Sequence, residues 1–330
     1  MTSKKRTIFD YTLYKLLWKK SLYKKIIYSL IPFFLIGSFG LILYFSEAWK
    51  MDGYSFLVDY TNCFMLCYIF FFMYFVHGLF LPYFHRQVDM LGEKVKPCIY
   101  KKYSTNIRFA YHTVSVSSVL LSVFAIPFIY TASQTGNANW YSKLNNTELL
   151  YYSFLIVMAW VMSARLFVSI LIDAIAIYKY LQHSINNLDY YSIDKKCGLK
   201  GLYNSLSASM GFGFYFLIAV VVIICSDFNA HKNYGLDMLA YKYWWLIVAI
   251  TVILSVIYFT VIIISYISLN KIIKKAIKVK VAQVKICNKK SEFLRDISSS
   301  SVTLNDVCIF FLSVFFPGVA AIIQIFISII

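Results

Sequence analysis

Charged residues are scarce in this 330-residue chain. They make up 14% of it and only 15 of them are acidic, whereas hydrophobic residues make up 60%. A soluble domain of this size has about a quarter charged residues and about half apolar ones. Packing in water cannot hide that much apolar surface. The composition therefore excludes an ordinary soluble protein and predicts that lipid covers part of the chain.

The residues that usually carry chemistry are also few. The five histidines show no paired ligand spacing, the seven cysteines show no zinc spacing, and no metalloprotease, acyltransferase or Walker motif is present. Cys63 and Cys67 share one face of an apolar helix, where we interpret them as packing residues. His85 and Asp89 are four apart after Pro82, where we expect a solvated turn at a membrane edge. We expect no catalytic site, no metal and no cofactor.

Long apolar runs dominate what remains. A membrane-spanning helix needs about 20 mostly apolar residues, and Gly211 and Gly213 interrupt one of the runs that qualify. The chain is therefore predicted to be an all-α polytopic membrane protein with a single seven-helix transmembrane domain over residues 1–330. The predicted spans are residues 26–45, 63–84, 109–131, 149–178, 206–225, 244–269 and 307–330.

The distribution of Lys and Arg predicts the orientation. The segment before the first span and the connections after the second, fourth and sixth spans hold eight, six, four and nine of these residues. The other connections hold only Lys50, Lys143, Lys232 and Lys242. Because basic loops stay in the cytosol, the amino terminus is predicted inside and the carboxyl terminus outside.

The formal net charge of +17 does not indicate nucleic acid. It lies in loops between apolar runs, where anionic lipids of the cytosolic leaflet are the natural partner. Asn145 begins the chain's one glycosylation acceptor sequence, Asn145-Asn146-Thr147. It falls in the third loop, which the charge rule independently places outside.

Ionisable residues at membrane depth are costly and therefore informative. Arg165 lies midway along the fourth run, and Asp173 follows two turns later. Asp173 either lies in a cytosolic extension of a long helix or pairs with Arg165 inside the bundle. His77 and His112 are either hydrogen-bonded core residues or, with Arg165, parts of a wet ligand pocket.

The seventh predicted span carries a stripe of small and polar residues. They recur at spacings of three and four and so share one helical face. Such a stripe either packs against another helix or lines water in a pore. Its members are Ser313, Pro317, Ala321, Gln324 and Ser328.

On this architecture and its last span, the chain resembles a divergent member of the insect chemoreceptor superfamily, the gustatory-receptor-like seven-helix ion channels. Gustatory receptors carry Thr-Tyr, five apolar residues and Gln-Phe in their last span. Here the matching stretch, residues 317–325, reads Pro-Gly-Val-Ala-Ala-Ile-Ile-Gln-Ile. The Gln and the apolar spacer match, and Pro-Gly and Ile replace the other positions.

The resemblance implies a ligand-gated cation channel in the plasma membrane, assembled as a homo- or hetero-tetramer. Its seventh helices would surround the pore, with Gln324 at the constriction. A small-molecule ligand would enter among the outer halves of the first six helices. Two alternatives remain open: a metabotropic serpentine receptor, whose amino terminus lies outside, and a membrane transporter or lipid-handling protein.

Overall fold

The structure, a computed structural model, describes residues 22–50, 52–59, 70–95, 140–184, 197–236 and 242–283, together with isolated positions between them. All regular elements of these residues are helical. A π-helical turn, Val76–Phe80, joins α2 to α3 without a break, and a 3-10 turn, Trp140–Lys143, precedes α4. The helices are α1 (Leu22–Phe45), α2 (Phe70–Phe75), α3 (Leu81–Glu93), α4 (Asn146–Ser184), α5 (Lys200–Tyr234) and α6 (Trp244–Gln283).

Four of these helices, α1, α4, α5 and α6, are long and apolar enough to cross a membrane. They indicate an integral membrane protein, and they contain the first, fourth, fifth and sixth predicted spans. The helices α2 and α3 cover the second predicted span from Phe70 onward. The seventh predicted span lies outside the described residues, as does the third apart from a few isolated helical positions.

The ends of two long helices follow from local chemistry. The side chain of Asn145 accepts a hydrogen bond from the amide of Glu148, whose carboxylate accepts one from the amide of Asn145. This reciprocal pair satisfies amide groups that the first turn of α4 leaves free. Helix α5 ends where Gly235 adopts a left-handed φ of 66°, which lets its amide bond back to His231.

Contacts between neighbouring helices define their directions. His77 and His85 on the α2–α3 helix meet Met162 and Asp173 on α4 in the same order, so these two helices are parallel. Phe167 of α4 packs on Tyr258 of α6. Further along both helices, the main-chain oxygen of Ala174 accepts a hydrogen bond from Ser265, so α4 and α6 are also parallel.

The remaining two helices run the other way. In α1, Tyr28 meets Tyr74 and Phe33 meets Phe71, an antiparallel order with α2. The same reversal relates α5 to α6, because Tyr203 meets Asn270 whereas Phe228 meets Trp244. The helices of the second, fourth and sixth predicted spans therefore share one direction, and those of the first and fifth run the opposite way. Alternating membrane spans need this arrangement.

Two buried clusters hold the helices together. The larger lies at the end of the bundle where α4 ends and α5 begins, which we call the basic end because exposed lysines of α6 lie there. The smaller lies at the opposite end, where α1 and α5 end and α4 begins. We call this second cluster the aromatic cap. Its central side chains include Phe39, Tyr54, Phe56, Trp140 and Tyr152.

Helix α5 continues through both glycines that interrupt its apolar run. A Cβ added at Gly213 would come within 2.7 Å of ring atoms of Phe259 and Tyr258, whereas one at Gly211 would meet nothing within 4 Å. Gly213 therefore lets α6 approach closely, as small residues do in membrane bundles.

We expect Gly213→Ala to lower the unfolding temperature of the purified protein, because buried rings of α6 would have to move. Overpacking of this kind costs about 1–3 kcal/mol. Gly211→Ala is the matched control and should be neutral or stabilising, since alanine is the better helix former by about 1 kcal/mol. Thermal unfolding in detergent measures both, and equal losses would contradict the close contact at Gly213.

Candidate functional site

A buried row of polar side chains runs along α4. Arg165, Ser169 and Asp173 follow one another at intervals of four residues, which makes successive members neighbours on the helix surface. Their exposed fractions are 7%, 2% and 0%. Together with His77 and His85 from the neighbouring α2–α3 helix, they form what we call the polar row.

His77 lies in the π-helical turn and is fully buried. Its Nε2 lies 2.7 Å from the main-chain oxygen of Met162 in α4. A carbonyl oxygen can only accept, so Nε2 carries the proton and donates it. His77 is therefore a hydrogen-bonded residue of the helix interface in this structure.

The π-helical turn also determines which face His85 occupies. Eight residues separate His77 from His85, which in an uninterrupted α-helix would turn the second side chain by about 80°. A π turn absorbs one extra residue, so the two histidines behave as if seven apart and differ by only about 20°. Both can then face α4.

At the end of the row nearest the basic end, Nδ1 of His85 contacts Oδ2 of Asp173. The expectation of a solvated turn at His85 is wrong. Pro82 follows the π-helical turn, and the helix continues through it. The helix continues to Glu93 and leaves His85 only 7% exposed.

Depth along α4 separates the members of the row. Measured from Leu149 at 1.5 Å per residue, Arg165 lies about 24 Å and Asp173 about 36 Å along the helix. The hydrocarbon core is about 30 Å thick. Arg165 is therefore at membrane depth, whereas the His85–Asp173 pair lies at the boundary of the basic end. This position matches the interpretation that Asp173 occupies an extension of a long helix.

Hydroxyl groups near the polar row connect α4, α5 and α6 to one another. The Ser265 hydroxyl of α6 lies 2.9 Å from the main-chain oxygen of Ala174, the residue after Asp173. The Tyr258 hydroxyl of α6 donates to the main-chain oxygen of Ser209 in α5 at 2.7 Å. These bonds fix the relative heights of α4, α5 and α6.

The aromatic cap contains a second buried carboxylate. Asp59 is 1% exposed and accepts a hydrogen bond from Nε1 of Trp140, 3.0 Å away. The Tyr54 hydroxyl lies 3.4 Å from Oγ of Ser226 near the end of α5. Burial, followed by the charge of Asp59, raises the pKa of Tyr54 above its ordinary value. The cap thus ties two loops to helix ends through paired polar groups.

Some of the predicted site residues are buried, others are exposed, and the rest lie outside the described residues. The structure buries His77 and Arg165, whereas His112 is exposed. Asn145 is exposed at the start of α4. The stripe residues Ser313, Pro317, Ala321, Gln324 and Ser328 lie outside the described part of the chain.

Sequence reasoning missed two features of these sites. It interpreted His85 as part of a turn because of Pro82, whereas the helix continues through Pro82 to Glu93. It did not single out Asp59 or its contact with Trp140, which are 81 residues apart in sequence. Within the described ranges, no three His, Cys, Asp or Glu side chains are placed to hold a metal ion.

We expect His85→Leu and Asp173→Leu each to destabilise the protein by about 3–5 kcal/mol, because each leaves a buried partner without its counterpart. The double variant should lose less than the sum, since replacing both members of a buried pair with apolar residues is often nearly neutral. Unfolding temperatures of the four proteins measure the coupling. His112→Leu, at an exposed position, is the control, and strictly additive losses would contradict the pairing.

Comparison of the chain with protein-family models, with curated proteins and with solved structures finds no match.

Proposed function

We propose that this chain is a subunit of a ligand-gated cation channel of the insect gustatory-receptor-like type. The observation that carries the proposal is the direction of the helices. The α2–α3 helix, α4 and α6 are mutually parallel, and α1 and α5 run against them. A seven-span chain needs this relation between its even and odd spans.

The lengths of the helices support the same architecture. Helices α4, α5 and α6 contain 39, 35 and 40 residues, which correspond to about 58, 52 and 60 Å. A hydrocarbon core about 30 Å thick needs far less. The excess extends mainly toward the basic end, where the family architecture has cytosolic extensions that meet in a tetramer.

In this proposal the seventh span lines the pore and Gln324 lies at its constriction. An amide facing lipid would leave its donors and acceptor poorly satisfied, so a position facing water is physically favoured. A ring of amides can replace part of the hydration shell of an ion without binding it tightly. A small-molecule ligand would act through the outer halves of the other helices, where the aromatic cap lies.

One observation favours a second candidate, a membrane transporter. Transporters use ionisable groups that face each other across spans, and His85 faces Asp173 across two helices. The depth of this pair weighs against that function, since it lies at the boundary rather than near the bilayer midplane where coupling sites lie. Ion-driven substrate uptake into vesicles that is abolished by Asp173→Asn would favour the transporter.

The topology is testable through Asn145. Expressed in a eukaryotic cell, the parent should carry a glycan that an endoglycosidase removes, and Thr147→Ala should lack it. Asn145→Asp should also lack it while keeping a residue that caps helices well. Asn146→Gln preserves the acceptor sequence and is the matched control.

Epitope tags complete this test. We expect a tag before Met1 to be inaccessible in intact cells and a tag after Ile330 to be accessible, as the lysine distribution predicts. An exposed amino-terminal tag together with an unglycosylated Asn145 would contradict the channel proposal and favour a serpentine receptor.

Conduction tests the pore directly. We expect Gln324→Arg to reduce cation conductance roughly tenfold or more. A unit charge about 5 Å from the ion, at an effective dielectric constant of about 20, repels it by about 3 kcal/mol. Recordings from the purified protein in planar bilayers measure conductance and permeability ratios. Ile323→Leu, one residue off the stripe, is the control and should behave as the parent.

Gln324→Ala tests the contribution of the side-chain amide, because it removes that group and adds no charge. It should change the permeability ratios without abolishing conduction. A conducting parent whose ratios are unchanged in both Gln324 variants would show that this residue does not line the pore.

A further inference from the structure

A face of α6 at the basic end is lined with lysines. Lys271, Lys274 and Lys275 occupy the positions i, i+3 and i+4 within the helix. Residues at these spacings share one side of an α-helix. We call this set the lysine face.

The lysine face is directed away from the buried cluster of the basic end. Lys271 and Lys275 are exposed, and Lys274 is half-buried. Ile273 and Ile277, on the other side of the helix, are 2% and 1% exposed and pack into that cluster. The packing of these isoleucines fixes the direction in which the lysines project.

The charges on this face repel one another. Like charges four residues apart destabilise a helix by a few tenths of a kcal/mol per pair. Among the described residues, no carboxylate pairs with Lys271, Lys274 or Lys275. The lysine face is therefore a local concentration of positive charge that an external anion would neutralise.

The same side of α6 is apolar along the part that precedes the lysines. Ile250, Ile257 and Ile264 are 49%, 50% and 50% exposed. They continue to Lys271 at a constant interval of seven residues, so the four positions form one nearly straight stripe with a drift of about 20° per interval. The stripe changes from isoleucine to lysine within one interval, which is about 10 Å of helix.

This change falls at the depth of the lipid headgroups. Measured from Trp244, which begins α6 at the opposite end, Lys271 lies about 40 Å along the helix. The bilayer is about 30 Å thick in its hydrocarbon core and about 40–45 Å with its headgroups. The three isoleucines then lie beside acyl chains and the lysines beside phosphates.

We propose that the lysine face is a binding site for anionic phospholipids of the cytosolic leaflet. The lipid phosphate lies between Lys271 and Lys275, and its acyl chains lie along Ile264 and Ile257. A zwitterionic lipid fits less well, because its own cationic group offsets the phosphate charge. Binding would neutralise the lysine face and hold α6 at a fixed depth. The proposal does not depend on channel activity.

The test uses the full-length protein in phosphatidylcholine vesicles that contain spin-labelled phosphatidylglycerol or spin-labelled phosphatidylcholine. Electron spin resonance measures the fraction of each lipid that the protein immobilises. We expect the parent to prefer the anionic lipid and Lys271→Gln/Lys275→Gln to reduce this preference by about fivefold or more. Each lysine near an anionic surface contributes about that factor.

Two control variants isolate the site. Lys50→Gln/Lys143→Gln removes the same number of charges at the opposite end and should keep the parent's preference. Lys271→Arg/Lys275→Arg keeps the charge and should also keep the preference, so a loss limited to the glutamine variant follows from the removal of charge. An unchanged preference in the glutamine variant, or an equal loss at the opposite end, would overturn the proposal.

A soluble anion separates lipid binding from binding of free phosphate. Inorganic phosphate should release no more labelled lipid than sodium chloride does at equal ionic strength, because it offers no acyl chain to the isoleucines. Greater release by phosphate would show a site for the phosphate ion alone and overturn the assignment to lipid. A parent with no preference for the anionic lipid would overturn it as well.

Discussion

The absence of water in the hydrocarbon core is the constraint on which the rest of this structure depends. Each main-chain amide and carbonyl there must find its partner within the protein, and a continuous helix satisfies that need. The polar side chains must do the same, so they bond to main-chain oxygens of neighbouring helices. His77 bonds to Met162 and Tyr258 to Ser209. Each of these bonds fixes one helix against another.

Helix α4 connects the regions that matter for the proposed function. Its first turns pack into the aromatic cap through Leu149 and Tyr152. Its middle carries Arg165, and Asp173 pairs with His85 near the basic end. A change in the cap that shifts or tilts α4 would therefore act on that pair as well. Ligand binding at one end and a response at the other need a rigid element of this kind.

The two ends of the bundle differ in the polar and charged groups that accompany their buried clusters. Stacked and edge-on aromatic rings surround Trp140 in the aromatic cap, and the buried Asp59 fixes the orientation of that tryptophan. The basic end combines a buried cluster of aliphatic and aromatic side chains with exposed lysines, which suits contact with lipid phosphates. The difference between the ends follows the lysine distribution along the chain.

The sequence by itself determined the class of protein and the positions of α1, α4, α5 and α6. A run of about 20 apolar residues has the length of a membrane-spanning helix and rarely occurs in another context. It also predicted that α4 is longer than a bilayer requires. Only the tertiary structure decided that His85 is buried against Asp173 and that Trp140 bonds to Asp59. These partners are 88 and 81 residues apart in sequence. Local sequence patterns predict which residues share one face of a helix. The π-helical turn and the packing of neighbouring helices decide which residues of another helix contact that face.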